Sequence, residues 1–278
     1  MTILFALSAA LVWGVADFVG GMASRRFSVI TVLLLTELGG LIVIGAVVAA
    51  TTPEMFSRED AIMSMAAGLI GTAALGLFYR ALAIGTMSVV APITATGAVI
   101  PVIVGLATGD ALSVVQVGGL AVVLVGVVLA SREQSSVEAP SEEQRRSILL
   151  AVAAAVGFGL FFLLSHPPAE ESVGWTVFFL RLAQVPVVAG IWLWLGAQRP
   201  GPKLTTVLLC AGTLDLGATA LLALANSGGE VSIVSVLTST YPVVTVLLAA
   251  VVLHERLLRS QYVGIVLTLA GIGAVVAG

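Results

Sequence analysis

Apolar runs long enough to cross a lipid bilayer recur along almost the whole chain, and they leave it few ways to fold. A spanning helix needs about 20 consecutive, mostly apolar residues. Runs of that length lie at roughly 2–22, 29–50, 61–82, 87–107, 113–130, 147–165, 173–196, 204–226, 231–252 and 260–277. The strict apolar–polar alternation of a membrane β-barrel strand is absent. Composition closes the water-soluble alternative. Of 278 residues, 59% are hydrophobic and 10% charged, and the mean hydropathy is +1.15. Soluble domains carry roughly 25% charged residues. The expected fold class is an all-α integral membrane protein with ten transmembrane helices.

Several chemistries are set aside by the same inventory. The net charge is −3, with no basic patch suited to nucleic acid. Cys210 is the single cysteine, so no intramolecular disulfide can form, and it is expected to be a small buried hydrophobe. His166 and His254 stand far apart, without zinc-ligand spacing, so neither metal nor cofactor is expected. Thr2 to Gly20 lacks a basic leader segment and reads as a retained helix. No G-x-x-x-x-G-K-[ST] motif for ATP occurs.

One stretch is clearly polar: "SREQSSVEAPSEEQRR", Ser131 to Arg146. It divides the chain into five runs at 1–130 and five at 147–278, with 131–146 as a linker. The halves align on themselves. Placing Gly109 over His254, an offset of 145, matches Leu112, Gln116, Gly119, Leu124 and Gly126 with Leu257, Gln261, Gly264, Leu269 and Gly271. Asp110 falls on Glu255, and Ala9, Ala10 and Gly14 fall on Ala154, Ala155 and Gly159. Between these ends the offset drifts by a residue or so. The expectation is a duplicated five-helix unit.

Five is odd, so the second copy must sit upside down relative to the first. Loop charges agree. Arg25, Arg26, Arg132, Arg145, Arg146, Arg199, Lys203, Arg256 and Arg259 all fall on one side, and the opposite loops hold Arg58 alone. The positive-inside rule places the linker in the cytoplasm and both termini outside, in an inner (plasma) membrane. Inverted repeats suit alternating access, with the substrate near the midplane and beside broken helices. Breaks are expected in "VVAPITATGAVIPVIVG", which holds Thr94, and in "VSVLTSTYPVVTVLL", which holds Thr238 and Tyr241. A proline removes an N–H and frees a carbonyl one turn earlier. The nearby hydroxyls either cap that kink or contact a ligand.

The motifs in order resemble a known family. They are "LVWGVADF" (Leu11 to Phe18), "YRALAIGTMSVVAP" (Tyr79 to Pro92), "FFLRLAQ" with Arg181, and "YPVVTVLLAAVVLHERLLRSQYVGIVLTLAGI" (Tyr241 to Ile272). Together they are similar to the ten-helix EamA-like branch of the drug/metabolite transporter superfamily, over nearly the whole chain. Two departures stand out: Asp110 follows Gly109 where the family usually has Glu, and Glu37 stands where its first repeat often has Arg. The resemblance implies a central cavity lined partly by the first and third helices. There Trp13 and Tyr79 either stack on a substrate or act as packing and interfacial aromatics.

Charges within the runs are the remaining candidates, because each costs roughly 2.5–3.5 kcal/mol at the bilayer centre unless it meets a cavity or a partner. Glu37, Arg181 and Asp215 lie near mid-membrane by count; Asp17 and Arg80 lie toward the cytoplasmic ends. Glu37 and Arg181 hold equivalent places in the two copies. Glu37 is therefore either the partner of Arg181 or a proton carrier. Asp215 either takes a proton or substrate ammonium, or bonds a neighbouring helix. Asp17 and Arg80 could form a gate pair, with Arg80 snorkelling to the interface as the simpler alternative. Asp110 and Glu255 are read as structural acids at helix N-termini.

The functional expectation is a non-enzymatic secondary transporter that moves a small polar metabolite outward, amino acids being implied by the resemblance, with protons as the candidate coupling ion. Efflux of organic cations is the second reading. An intramembrane enzyme lacks a nucleophile–base set, and a sensor or scaffold lacks a soluble domain. One chain already holds both halves, so a monomer or a homodimer could serve.

Overall fold

The structure, a computed structural model, describes residues 1–51, 57–85, 87–130, 142–197, 200–252 and 258–277. The first half contains α1 (Thr2–Ser24), α2 (Val29–Thr51), α3 (Arg58–Ile84), α4 (Met87–Ala95), a 3-10 turn (Thr96–Ala98), α5 (Val99–Thr108) and α6 (Val114–Ala130). The second contains α7 (Glu142–Glu171), α8 (Val173–Leu195), α9 (Pro202–Asn226), α10 (Val231–Thr238), α11 (Tyr241–Val252) and α12 (Arg259–Ala277). No strand occurs among the described residues. Seven helices among them are long and apolar enough to cross a membrane.

The remaining helices are shorter for visible reasons. The fourth apolar run is divided into α4 and α5 by the 3-10 turn. The ninth is divided into α10 and α11 at Ser239 and Thr240. Hydroxyls at these breaks donate back to the preceding turn: Thr96 to Ile93 O, Thr238 to Val234 O and Thr240 to Leu237 O. α7 starts earlier than its apolar run. Glu142 to Arg146, expected in the linker, already form its first turns, with Glu142 and Glu143 at the electropositive helix end. The rest of the linker lies outside the described residues, as do Arg199, His254, Glu255 and Arg256.

The matched glutamines of the two halves do the same local work. Gln116 accepts from the N–H of Ser113 at 2.9 Å, and Gln261 from that of Leu258 at 2.7 Å. Each bends back over the start of its helix, as in a capping box. Ser113 completes the first box by accepting from the Gln116 N–H. Asp110 is a structural acid at a helix N-terminus, but of α10 and not of the helix that follows it: its carboxylate accepts from the N–H of Ser232, at the start of α10, at 3.0 Å.

Small residues then set the packing. In lipid no hydrophobic drive separates helix from solvent, so close backbone approach decides which helices meet. Gly119 packs on Gly271 and Val275, and Gly126 packs on Gly264 and Thr268. Each of the four glycines is matched by another of the four, so the two contacts are one contact seen from either half. α6 and α12 therefore cross antiparallel. The same exchange recurs across the molecule. Gly68 abuts the Leu180 backbone as Gly212 abuts Thr36. Gly14 abuts Tyr241 and Val244 as Gly159 abuts Gly97 and Ile100. The halves are related by a twofold that reverses helix direction. α1, α2, α3, α7, α8 and α9 meet around its centre, with the broken helices crossing beside them.

Large apolar side chains such as Ile42, Val47, Leu149, Trp194 and Val266 face outward. Cys210 is exposed on the same kind of surface, beside Val207 and Leu214, and is not buried as expected. Its place in an apolar run reflected the lipid-facing side of α9, which hydropathy alone does not separate from the core.

Candidate functional site

Arg181 of α8 sits at the centre, 3% exposed. Its two terminal nitrogens reach different helices. Nη1 donates to Glu37 of α2 and, at 3.4 Å, to Gln184 Oε1. Nη2 donates to Asp215 of α9 and, at 3.1 Å, to Thr219 Oγ1. Nε is buried without a partner and lies against Gly40 of α2. Gln184 in turn donates to the Gly68 carbonyl of α3 at 3.1 Å. One guanidinium thus ties α2, α8 and α9 together, and its fork geometry is what allows it to serve two carboxylates at once.

Asp215 has a further donor, Trp13 Nε1 of α1, at 2.9 Å. Asp17, one turn along α1 from Trp13, accepts from the Tyr79 hydroxyl of α3 at 3.3 Å. Arg80 is exposed and forms no ion pair among the described residues; of its two readings the gate pair with Asp17 is not formed, and Asp17 is bonded by Tyr79 instead. The Tyr241 hydroxyl of α11 shares a hydrogen bond with Thr94 of α4 at 3.0 Å, linking the two broken helices.

These groups surround a cavity of about 60 Å³. At roughly 30 Å³ of liquid volume per water, it has room for about two waters or a compact polar group. Its lining repeats the twofold. Trp13 and Asp17 stand opposite their counterparts Phe158 and Phe162, both at an offset of 145. Glu37 stands opposite Arg181, Gly71 opposite Asp215 and Leu75 opposite Thr219, at an offset of 144. The backbone is therefore symmetric around the cavity while the chemistry is not. Wherever the first half places an acid, the second places an arginine or a phenylalanine.

Of the residues singled out from sequence, Trp13, Asp17, Glu37, Arg181, Asp215 and Tyr241 all line this cavity. Tyr79 and Thr94 stand behind it, each bonded to a lining residue. Thr238 is fully buried and turned to its own helix, apart from the cavity lining. Sequence reasoning missed Gln184 and Thr219, although each follows a marked charge by one helical turn. It also missed the wall formed by Phe158, Phe161 and Phe162 of α7, which looks like ordinary lipid-facing sequence.

A second polar contact joins the halves away from the cavity. At the α5–α6 connection, Asp110 meets Glu230, the residue before α10. Partial burial pushes the Asp110 carboxyl up. Hydrogen bonds from the Ser232 hydroxyl, the Glu230 carboxyl and the Ser232 N–H outweigh it and hold Asp110 below the usual range. Glu230 is pushed up, chiefly because its proton bridges to Asp110. His166 faces both acids, bonds the Gly229 carbonyl at 2.9 Å and lies 4.0 Å from Glu170.

A model of the EamA-like transporter family matches residues 1–132 and 145–277, one match per half. A solved structure described only as a crystal structure of a protein superposes with a TM-score of 0.81 at 17% identity, over 99% of this chain and 98% of that one. At that identity the likeness shows the fold. A search among curated proteins finds no match.

Proposed function

The chain belongs to the EamA-like transporter family, and from that premise we propose that it is a secondary transporter that moves small amine-bearing metabolites, amino acids among them, outward by alternating access. Ten membrane crossings then consist of the seven long helices, α6 and the two broken pairs α4–α5 and α10–α11. The observation that carries this reading is one cavity lined by charged and aromatic residues from both inverted halves, five pairs of its lining positions being equivalent. Rocking one half against the other would open such a cavity to either side in turn. The basic loops support a cytoplasmic linker.

Protons are the coupling ion in this reading. Three carboxylates line the cavity, and rocking that parts α2 or α9 from α8 would free Glu37 or Asp215 to bind a proton. The experiment uses purified protein in liposomes containing a pH-sensitive dye. External amino acids and amines are added to the wild type, Glu37→Gln and Asp215→Asn. A substrate-dependent proton flux lost in one variant supports coupled transport through that acid. Labelled substrate that equilibrates without proton flux reduces the protein to a uniporter. No movement of any probe refutes the reading.

A further inference from the structure

The terminal nitrogens of Arg181 have no donor left for a substrate. Their N–H groups are engaged by Glu37, Gln184, Asp215 and Thr219, and the buried Nε, without a partner among the described residues, lies against Gly40. A carboxylate entering the cavity would therefore find no free terminal guanidinium N–H there, and Arg181 is the sole basic residue among the described lining residues. It would find three acids. Two of these share Arg181, which leaves Asp17 as the lining carboxylate without a cationic partner among the described residues.

Asp17 is 7% exposed, yet it lines the cavity, and its one hydrogen bond among the described residues comes from a neutral phenol. A buried carboxylate of that kind is neutralised by a proton or matched by a cation, and an ammonium entering the cavity is such a cation. Aromatic rings stand around the same space: Trp13 beside it on α1, Tyr241 on α11, and Phe158 and Phe162 at the positions equivalent to Trp13 and Asp17. Aromatic faces attract ammonium groups, more strongly when water is excluded. They also offer an apolar wall to the body of the ligand.

We propose, resting on the transporter reading above, that Asp17 docks the ammonium group of the transported molecule and that the cavity selects compact organic amines over zwitterions. Arg181 is then a strut between helices and makes no contact with substrate. An amino acid gains at Asp17 what its free amine gains, but its own carboxylate must be desolvated beside acids with no cation to receive it.

The test uses the purified chain and three molecules that share one isopentyl skeleton: leucine, isopentylamine, which lacks the carboxylate, and 4-methylpentanoate, which lacks the amine. Binding is measured by calorimetry, and flux of labelled leucine and isopentylamine is measured in liposomes. Isopentylamine is expected to bind at least about tenfold more tightly than leucine, with no binding of 4-methylpentanoate. Asp17→Asn should weaken the amine by at least about tenfold, and Asp17→Glu should retain it. Leucine binding more tightly than isopentylamine would overturn the proposal, as would failure of all three to bind or undiminished amine binding by Asp17→Asn. If Asp17→Asn does not fold, the wild-type ranking of the three probes decides. Labelled leucine that moves without amine binding sinks the Asp17 assignment and leaves the transporter standing. Amine binding lost in Asp17→Asn, with no flux of any probe, supports the assignment and sinks transport.

Discussion

Arg181 on α8 and Glu37 on α2, 144 residues apart at equivalent places in the two halves, meet in a buried ion pair that also holds Asp215 of α9. Opening a buried pair from one side costs roughly 3–5 kcal/mol, because a charge stays behind without its partner. Asp215 remains in contact with Arg181 when Glu37 is neutralised. Glu37→Gln is therefore expected to lose about 3 kcal/mol, at the lower end of that range. Thermal melting in detergent measures it.

Exchanging the charges will not restore this site. Glu37→Arg combined with Arg181→Glu would preserve a simple pair. Here the new glutamate would stand against Asp215, which now binds the Arg181 guanidinium. The double variant is expected to melt below the wild type, and adding Asp215→Asn should recover part of the difference. Equal stability of the double variant and the wild type would show that Asp215 is not part of the cluster.

The helix crossings carry a second expectation. At Gly212 an added Cβ would collide with the backbone of Thr36, whereas at Gly217, on the same helix, it would meet nothing within 4 Å. Overpacking a tight contact costs about 1–3 kcal/mol. Gly212→Ala should show that loss, and Gly217→Ala should not, in parallel melts.

The partner of Asp17 can be read out by two neighbouring substitutions. Tyr79→Phe removes the hydrogen bond to Asp17 and should cost about 1–3 kcal/mol, because a buried acceptor is left without its donor. Arg80 is exposed, so Arg80→Ala should stay within about 0.5 kcal/mol. The reverse ranking would return Arg80 to the role of partner.

The Asp110–Glu230 contact predicts a pH dependence. Glu230 has a raised folded-state value, so its contribution is complete below its ordinary value and fades as pH rises through the raised one. Asp110 has a lowered value, so its contribution is complete above its ordinary value and fades as pH falls through the lowered one. Both contribute fully near the ordinary carboxylate values, about pH 4. Glu230→Gln donates to Asp110 at every pH. It should therefore lose the part of the wild type's decline between about pH 4 and neutrality that comes from this contact. Melting curves across that range, with His166→Gln as a control for the facing imidazole, test the assignment.

How much of this was legible in the sequence follows from what each signal measures. Hydropathy and length identified the apolar helices, and the self-match at an offset of 145 identified the two halves, because both are properties of consecutive residues. The prolines and hydroxyls marked where α4–α5 and α10–α11 break. Equivalence brought Glu37 and Arg181 to one depth. It could not show that Asp215 and Thr219 share the same guanidinium, or that Phe158 and Phe162 turn inward.

The deciding variable is azimuth. Each step along a helix turns the side chain by about 100°, so Tyr79 can face Asp17 while Arg80 beside it faces out. Cys210 points outward from an apolar run for the same reason. Which face turns inward is set where backbones touch, at contacts such as Gly68 on Leu180 and Gly212 on Thr36. Those contacts join residues far apart in the chain, and no local pattern encodes them. The sequence by itself determined a duplicated, membrane-embedded bundle and which charges it must bury. The tertiary structure alone decided that both terminal nitrogens of Arg181 are engaged and that Asp17 has no cation among the described residues, because both depend on how separate helices are rotated against one another.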